Sequence, residues 1–123
     1  MKRITVVTPC YNEEAILWSS VTELHAGLKA MGRSFEIVLV DDGSTDDTVH
    51  WLDAHATAFP HLRLIRQQHG GPAEGRNRGV QEARGDVIVF IDSDLVVTPS
   101  FLISHARALE RSWRQRGDRL CFT

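Results

Sequence analysis

Four short runs of β-branched and aliphatic residues, 4–7, 35–40, 62–65 and 87–91, are spaced along the chain. Each is apolar with little alternation, the pattern of strands covered on both faces in a parallel sheet. Between the first two, Leu17, Val21, Leu24, Leu28 and Met31 recur at spacings of four and three. That sets them on one stripe of a helix, which Gly32 can end. After the second run, Ser44 and Asp47 have the spacing of a capping box, Val49, Leu52 and Ala56 supply a shorter apolar face, and Pro60 stops the segment. A third helix is predicted over residues 73–83. Gly75 and Gly79 lie inside it, each costing about 1 kcal/mol against alanine, so glycine there signals close backbone approach.

Strand and helix alternate, so the expected fold is α/β: an open, mostly parallel, Rossmann-like sheet with right-handed crossovers and helices on both faces. Such sheets bind ligands outside the carboxyl ends of their strands. Polar clusters follow directly on three of the four strands: TPCYNEE after the first, DDGSTDD after the second and DSD after the fourth. Motifs from distant parts of the chain are thereby expected at one edge.

At 123 residues and 42% hydrophobic content the chain suits one core. Its 14 basic and 16 acidic residues give a net charge of -2, which offers no field for gathering a polyanion and argues against nucleic acid. Basic residues cluster only locally, at Arg107, Arg111, Arg114, Arg116 and Arg119. Cys10 and Cys121 form neither a CxxC pair nor a Cys/His metal spacing, which fits a reducing compartment. The longest apolar run, 87–91, is far short of the roughly 20 residues of a membrane span. No signal-peptide pattern opens the chain. The expectation is a soluble, cytoplasmic segment, at most associated with the cytoplasmic face of a membrane.

Asp92 and Asp94 are two apart after the fourth strand, so in extended backbone both carboxylates project to one side, with Ser93 between them. That is a half-site for Mg²⁺ or Mn²⁺, hard cations that accept one or two carboxylates and keep other positions for water and phosphate. Taken alone, an acidic tripeptide after a strand is more often a solvated turn. Ser44, Asp46 and Asp47 are covered by helix capping and the helix dipole, but Asp41 and Asp42 at the end of a buried strand are not. A carboxylate there suits a base that offers a ring N–H, as uracil and guanine do and adenine does not.

TPCYNE stands where a dinucleotide fold would need a Gly-rich turn, which argues against NAD. Pro9 stiffens this loop and Tyr11 offers a flat face to a base. The competing reading makes Asn12 a helix cap and Tyr11 a packing residue. Gly70, Gly71 and Pro72 lead into the third helix, whose amino end favours anions, and Arg76 could pair with phosphate, although a solvated arginine is the commoner fate. The six histidines show no consistent ligand spacing and are assigned to structure or surface.

Together TPCYNEE, VDDGSTDDT, GGPAEGRNRG and ARGDVIVFIDSD, in this order, resemble the N-terminal part of the family 2 glycosyltransferases of the GT-A fold. The resemblance runs from residue 1 to about residue 105. NEE looks especially like the dolichyl- or polyprenyl-phosphate mannose and glucose synthase branch. The resemblance implies a metal-dependent, inverting sugar transfer from a UDP- or GDP-sugar to an acceptor such as a lipid phosphate or saccharide. It further implies that Pro9, Tyr11, Glu13 and Asp42 surround the nucleoside, that Arg76 lies toward the ribose or phosphates, that Asp92 contacts the ribose or metal region, and that Asp94 ligates Mn²⁺ or Mg²⁺ at the diphosphate. Gly75 departs from the pattern, since members usually have alanine there.

The base that deprotonates the acceptor lies well downstream of the DxD motif in the family, and only 29 residues follow Asp94. Residues 1–123 are accordingly expected to be the nucleotide-sugar-binding part, with the base downstream of residue 123 and the acceptor-binding half lacking. Two rivals remain at this point. One is a non-catalytic module that binds a sugar nucleotide. The other is a haloacid-dehalogenase-type phosphatase, whose DxDx[TV] loop Asp92-Ser93-Asp94-Leu95-Val96 also matches, although that loop normally opens its domain and no lysine follows it here. Phe101, Leu102, Ile103, Ala106, Leu109 and Trp113 form a roughly helical apolar pattern beside the arginines, from which self-association is expected.

Overall fold

A computed structural model of the chain describes residues 3–32, 34–91 and 120–122, with the single positions 104, 108 and 111. In chain order the elements are β1 (Ile4–Cys10), α1 (Glu14–Ala30), β2 (Phe35–Asp42), α2 (Thr48–His55) with a 3₁₀ turn (Ala56–Ala58), β3 (Leu62–Gln67), α3 (Pro72–Glu82), β4 (Val87–Phe90) and β5 (Leu120–Phe122). The strands form one sheet in the order β3-β2-β1-β4-β5, and every pairing is parallel. The expected α/β architecture is therefore present. β5 extends it beyond the four anticipated strands, because Leu120–Phe122 is too short a run to read as a strand without its partner β4.

Residue alternation along the strands sends side chains to two cores. Ile4, Val6, Ile37, Leu39, Val87 and Val89 pack with Val21, Leu24 and Leu28 of α1 and Leu52 of α2. Val7, Val38, Val40 and Ile88 pack on the opposite face with Ile65, Val80 and Ala83. Helices thus cover both faces. The stripe predicted for α1 is buried at Val21, Leu24 and Leu28, with Met31 packed beside it. In α3, a Cβ at Gly79 would lie 2.1 Å from Val7 Cγ1, so only glycine lets the helix approach β1 this closely.

Four element ends differ from the sequence expectation. β1 continues through Pro9 to Cys10, and β2 through Asp41 and Asp42, because the ladder pairs Pro9 with Val40 and Cys10 with Asp41. Pro9 is tolerated in this central strand because the described pairing with β4 runs only from Ile4 to Val7, so its missing N–H interrupts no bond on that side. Ser44 does not cap α2. The helix begins at Thr48, whose N–H donates to Asp46 Oδ1 at 3.0 Å, while Ser44 turns back to Asp41. Asn12 is not a helix cap either, since α1 starts at Glu14 after Glu13 with no side-chain capping bond.

At the amino ends of the strands, Glu36 is buried at 2% exposure. Its Oε2 accepts from Thr5 Oγ1 and from the Arg84 N–H, each at 2.7 Å, and its Oε1 accepts from Arg63 Nε at 3.1 Å. Thr5 Oγ1 in turn accepts from the Gly85 N–H at 2.8 Å. This knot ties the α3–β4 connection to the sheet at the end opposite the polar motifs.

Candidate functional site

At the carboxyl edge, loops from three strands are laced together. Asn12 adopts φ 53°, a left-handed conformation that asparagine tolerates better than most residues. Its Oδ1 accepts from the Thr45 N–H at 2.8 Å and the Asp46 N–H at 3.3 Å, and its own N–H donates to Ser44 Oγ at 3.0 Å. The Glu13 N–H donates to Thr48 Oγ1 at 3.1 Å. The β1–α1 loop is thus fixed against the β2–α2 loop, which leaves Tyr11, 42% exposed, standing at the rim.

The two acids ending β2 do different work. Asp41 accepts from the Ser44 N–H and Oγ and so shapes its own loop. Cys10 Sγ lies 3.9 Å from Asp41 Oδ1. Burial first, and then the negative charges of Asp41 and Glu13, push its thiol far above the ordinary range, so it stays protonated and is no nucleophile. Asp42, 5% exposed, reaches across to the β3–α3 loop. Its Oδ1 accepts from Gln67 Nε2 and the Gly70 N–H, and its Oδ2 from the Gly71 N–H, each at 2.9 Å. Burial acts to raise its pKa, but these bonds and the neighbouring His69 outweigh burial and hold it below the usual carboxylate range.

Ligand spacing points His69 to structure or surface, yet it belongs to this edge. Its Nδ1 lies 3.0 Å from Asp42 Oδ2 and 3.0 Å from the Asp42 carbonyl oxygen. Its ring meets Tyr11 with centroids 4.6 Å apart and planes inclined by 35°. Gln67 and His69 carried a signal that ligand spacing does not reveal, namely their place at the carboxyl end of a parallel strand just before a glycine pair. His25, His55 and His61 do pack as structural residues, among Phe35, Phe59 and Trp51.

Pro9 is half-buried beneath α3, where a Cβ at Gly75 would come within 3.2 Å of its Cβ. An alanine there needs a shift of only a few tenths of an ångström, so the departure at Gly75 leaves the helix in place. Pro9, Tyr11, Glu13 and Asp42 are brought to one edge, and Arg76 lies half-buried one turn into α3. Asp92, Ser93 and Asp94 lie outside the described residues, as do Phe101, Leu102, Ile103, Ala106, Leu109 and Trp113, although Ser104, Ala108 and Arg111 within that stretch are helical. The last described residue before the DxD run, Ile91, donates its N–H to Val7 O at 3.1 Å, so the chain leaves β4 beside β1. Among the described residues no group of three His, Cys, Asp or Glu side chains could hold a metal ion. No helix among them is long and apolar enough to cross a membrane.

A family model described as "Glycosyl transferase family 2" matches residues 5–115. An uncharacterized glycosyltransferase, YfnE, of Bacillus subtilis is 31% identical over 88% of this chain and 27% of its own length. An undecaprenyl-phosphate 4-deoxy-4-formamido-L-arabinose transferase of Pseudomonas paraeruginosa is 37% identical over 78% of this chain and 29% of its own length. The chain therefore spans less than a third of these relatives. Among solved structures, glucosyl-3-phosphoglycerate synthase from Mycobacterium tuberculosis, in complex with Mn²⁺, uridine diphosphate and glucosyl-3-phosphoglycerate, superposes with a TM-score of 0.67 at 28% identity, covering 88% of this chain and 39% of that one.

Proposed function

The chain belongs to glycosyl transferase family 2, and from that premise we propose that its carboxyl edge holds the nucleoside diphosphate of a UDP- or GDP-sugar for transfer to an acceptor. Membership in that family displaces the phosphatase reading of Asp92-Ser93-Asp94. The observation that carries the proposal is the lacing of three strand-end loops around Tyr11 and Asp42. Tyr11 supplies a face for the base. Asp42 supplies an acceptor for its ring N–H, which selects uracil or guanine over adenine. Pro9 and Glu13 flank the nucleoside, and Arg76, with the amino end of α3, lies on the side suited to the phosphates.

The transfer is proposed to be inverting and metal-dependent. Asp92 and Asp94 fit Mn²⁺ or Mg²⁺ by the chemistry of the donor set, two hard carboxylates with the diphosphate oxygens completing the shell. When bound there, such an ion stabilises the negative charge that grows on the leaving diphosphate. The complex of the Mycobacterium tuberculosis neighbour with Mn²⁺ and uridine diphosphate supports this choice. The undecaprenyl-phosphate relative supports a lipid phosphate as acceptor. In this reading the acceptor site and the base belong to the part of such proteins that the match does not cover, and the chain works as the donor-binding part, at the cytoplasmic face when the acceptor is a lipid.

UDP or GDP with Mn²⁺ should raise the melting temperature, since a ligand at about 100 times its Kd adds roughly 2.7 kcal/mol to the folded state. EDTA should remove the metal-dependent part. Asp94→Asn should do the same while leaving the unliganded melting temperature nearly unchanged. An equal nucleotide shift in the variant, with Mn²⁺ present, would sink the assignment of Asp94 to the metal.

A further inference from the structure

We propose that His69 is a built-in stand-in for the nucleobase, which closes the nucleoside pocket until an incoming base displaces its ring. The proposal rests on the assignment of Tyr11 and Asp42 to the nucleoside. The imidazole is a flat heterocycle that presents a ring N–H. Its Nδ1 sits 3.0 Å from Asp42 Oδ2, and its ring lies against Tyr11 at a centroid distance of 4.6 Å. Those are the same two contacts, a ring N–H to the carboxylate and a ring against the phenol, that a uracil or guanine would make. Ring and base cannot hold them together.

The surroundings allow the ring to leave without rebuilding the loop. The His69 side chain is 58% exposed, so swinging it into solvent uncovers little apolar surface. Its backbone is held independently. The Gly70 and Gly71 N–H groups grip Asp42, and the His69 nitrogen packs so closely on Gly43 that a Cβ there would come within 2.8 Å. With the ring gone, Gln67, Gly70 and Gly71 keep the carboxylate aimed. The gate is therefore one side chain over a preorganised floor, and the apparent affinity for nucleotide is reduced by the fraction of molecules in which the gate stands open.

Deleting the ring should then strengthen binding, whereas deleting an ordinary ligand contact weakens it. The test is titration calorimetry of UDP and GDP with Mn²⁺ against the full chain as wild type, His69→Ala, Tyr11→Ala and Asp42→Ala. Loss of one hydrogen bond and a ring contact predicts a Kd about three- to tenfold lower in His69→Ala, with a higher Kd in the other two variants. Should alanine disturb the loop, His69→Ser is read in the same way. The ¹⁵N resonance of His69 Nδ1 in the wild type gives an independent answer, because its hydrogen-bonded signature should be lost on adding nucleotide. An unchanged or higher Kd in both His69 variants, or a bound-state resonance that keeps its signature, overturns the gate. If Tyr11→Ala and Asp42→Ala also leave the Kd unchanged, the nucleoside assignment falls with it.

Discussion

Asp42→Ala should weaken binding of UDP and GDP by roughly 1.5–3 kcal/mol, the worth of a hydrogen bond to a charged group, with or without a divalent ion. The size follows from the double duty of this carboxylate. In the proposed site it offers the acceptor for the base, and in the structure it gathers Gln67 Nε2 and the Gly70 and Gly71 N–H groups that shape the loop into α3. Asp42→Asn should not rescue, because one oxygen becomes an amide donor facing donors. Calorimetry in EDTA and again in Mn²⁺ checks both points. An affinity that falls only in Mn²⁺ would move Asp42 from the nucleoside to the metal.

Glu36→Ala should cost about 3 kcal/mol of stability, at the lower end of what breaking a buried pair costs because Arg63 keeps 25% of its side chain in solvent. It takes the acceptor from the Thr5 hydroxyl, the Arg84 N–H and Arg63 Nε at once, leaving the Arg63 guanidinium only its bond to the Glu82 carbonyl oxygen. Burial acts to raise the Glu36 pKa, but the Thr5 and Arg84 bonds and the charges of Arg63 and Arg3 outweigh it and leave the pKa below the ordinary value. A depressed carboxylate stabilises the fold fully above its unfolded pKa, about 4.3, and that stability is lost as the pH falls through the folded value. Urea denaturation should therefore show a wide gap between wild type and Glu36→Gln at pH 7 that narrows below about pH 4. Nucleotide affinity should not change, since Glu36 lies at the opposite end of the strands.

The strand interiors, the α1 stripe and the close approach signalled by Gly79 were legible in the sequence because apolar burial and glycine each leave a local mark. Strand ends were not, because the ladder carries Pro9, Cys10, Asp41 and Asp42 in extended form, and pairing rather than hydropathy decides that. The spacing makes Ser44 a cap of its own helix, and a cap is the competing reading of Asn12. In fact they bond across loops some 32 residues apart, and side chains of this type serve either purpose equally well. His69 was missed for the reverse reason: its partners Tyr11 and Asp42 lie 58 and 27 positions away, and only the parallel order of β1, β2 and β3 brings them together.

Whether these loops hold a nucleoside diphosphate is decided by mapping amide shifts of the ¹⁵N-labelled chain as UDP or GDP is added with Mg²⁺. Saturable changes should concentrate at residues 9–13, 42–44 and 67–76, with the amino-end residues Thr5, Glu36 and Gly85 unmoved. Changes centred on Thr5, Glu36 and Gly85, or no saturable change at millimolar nucleotide, would contradict binding at these loops.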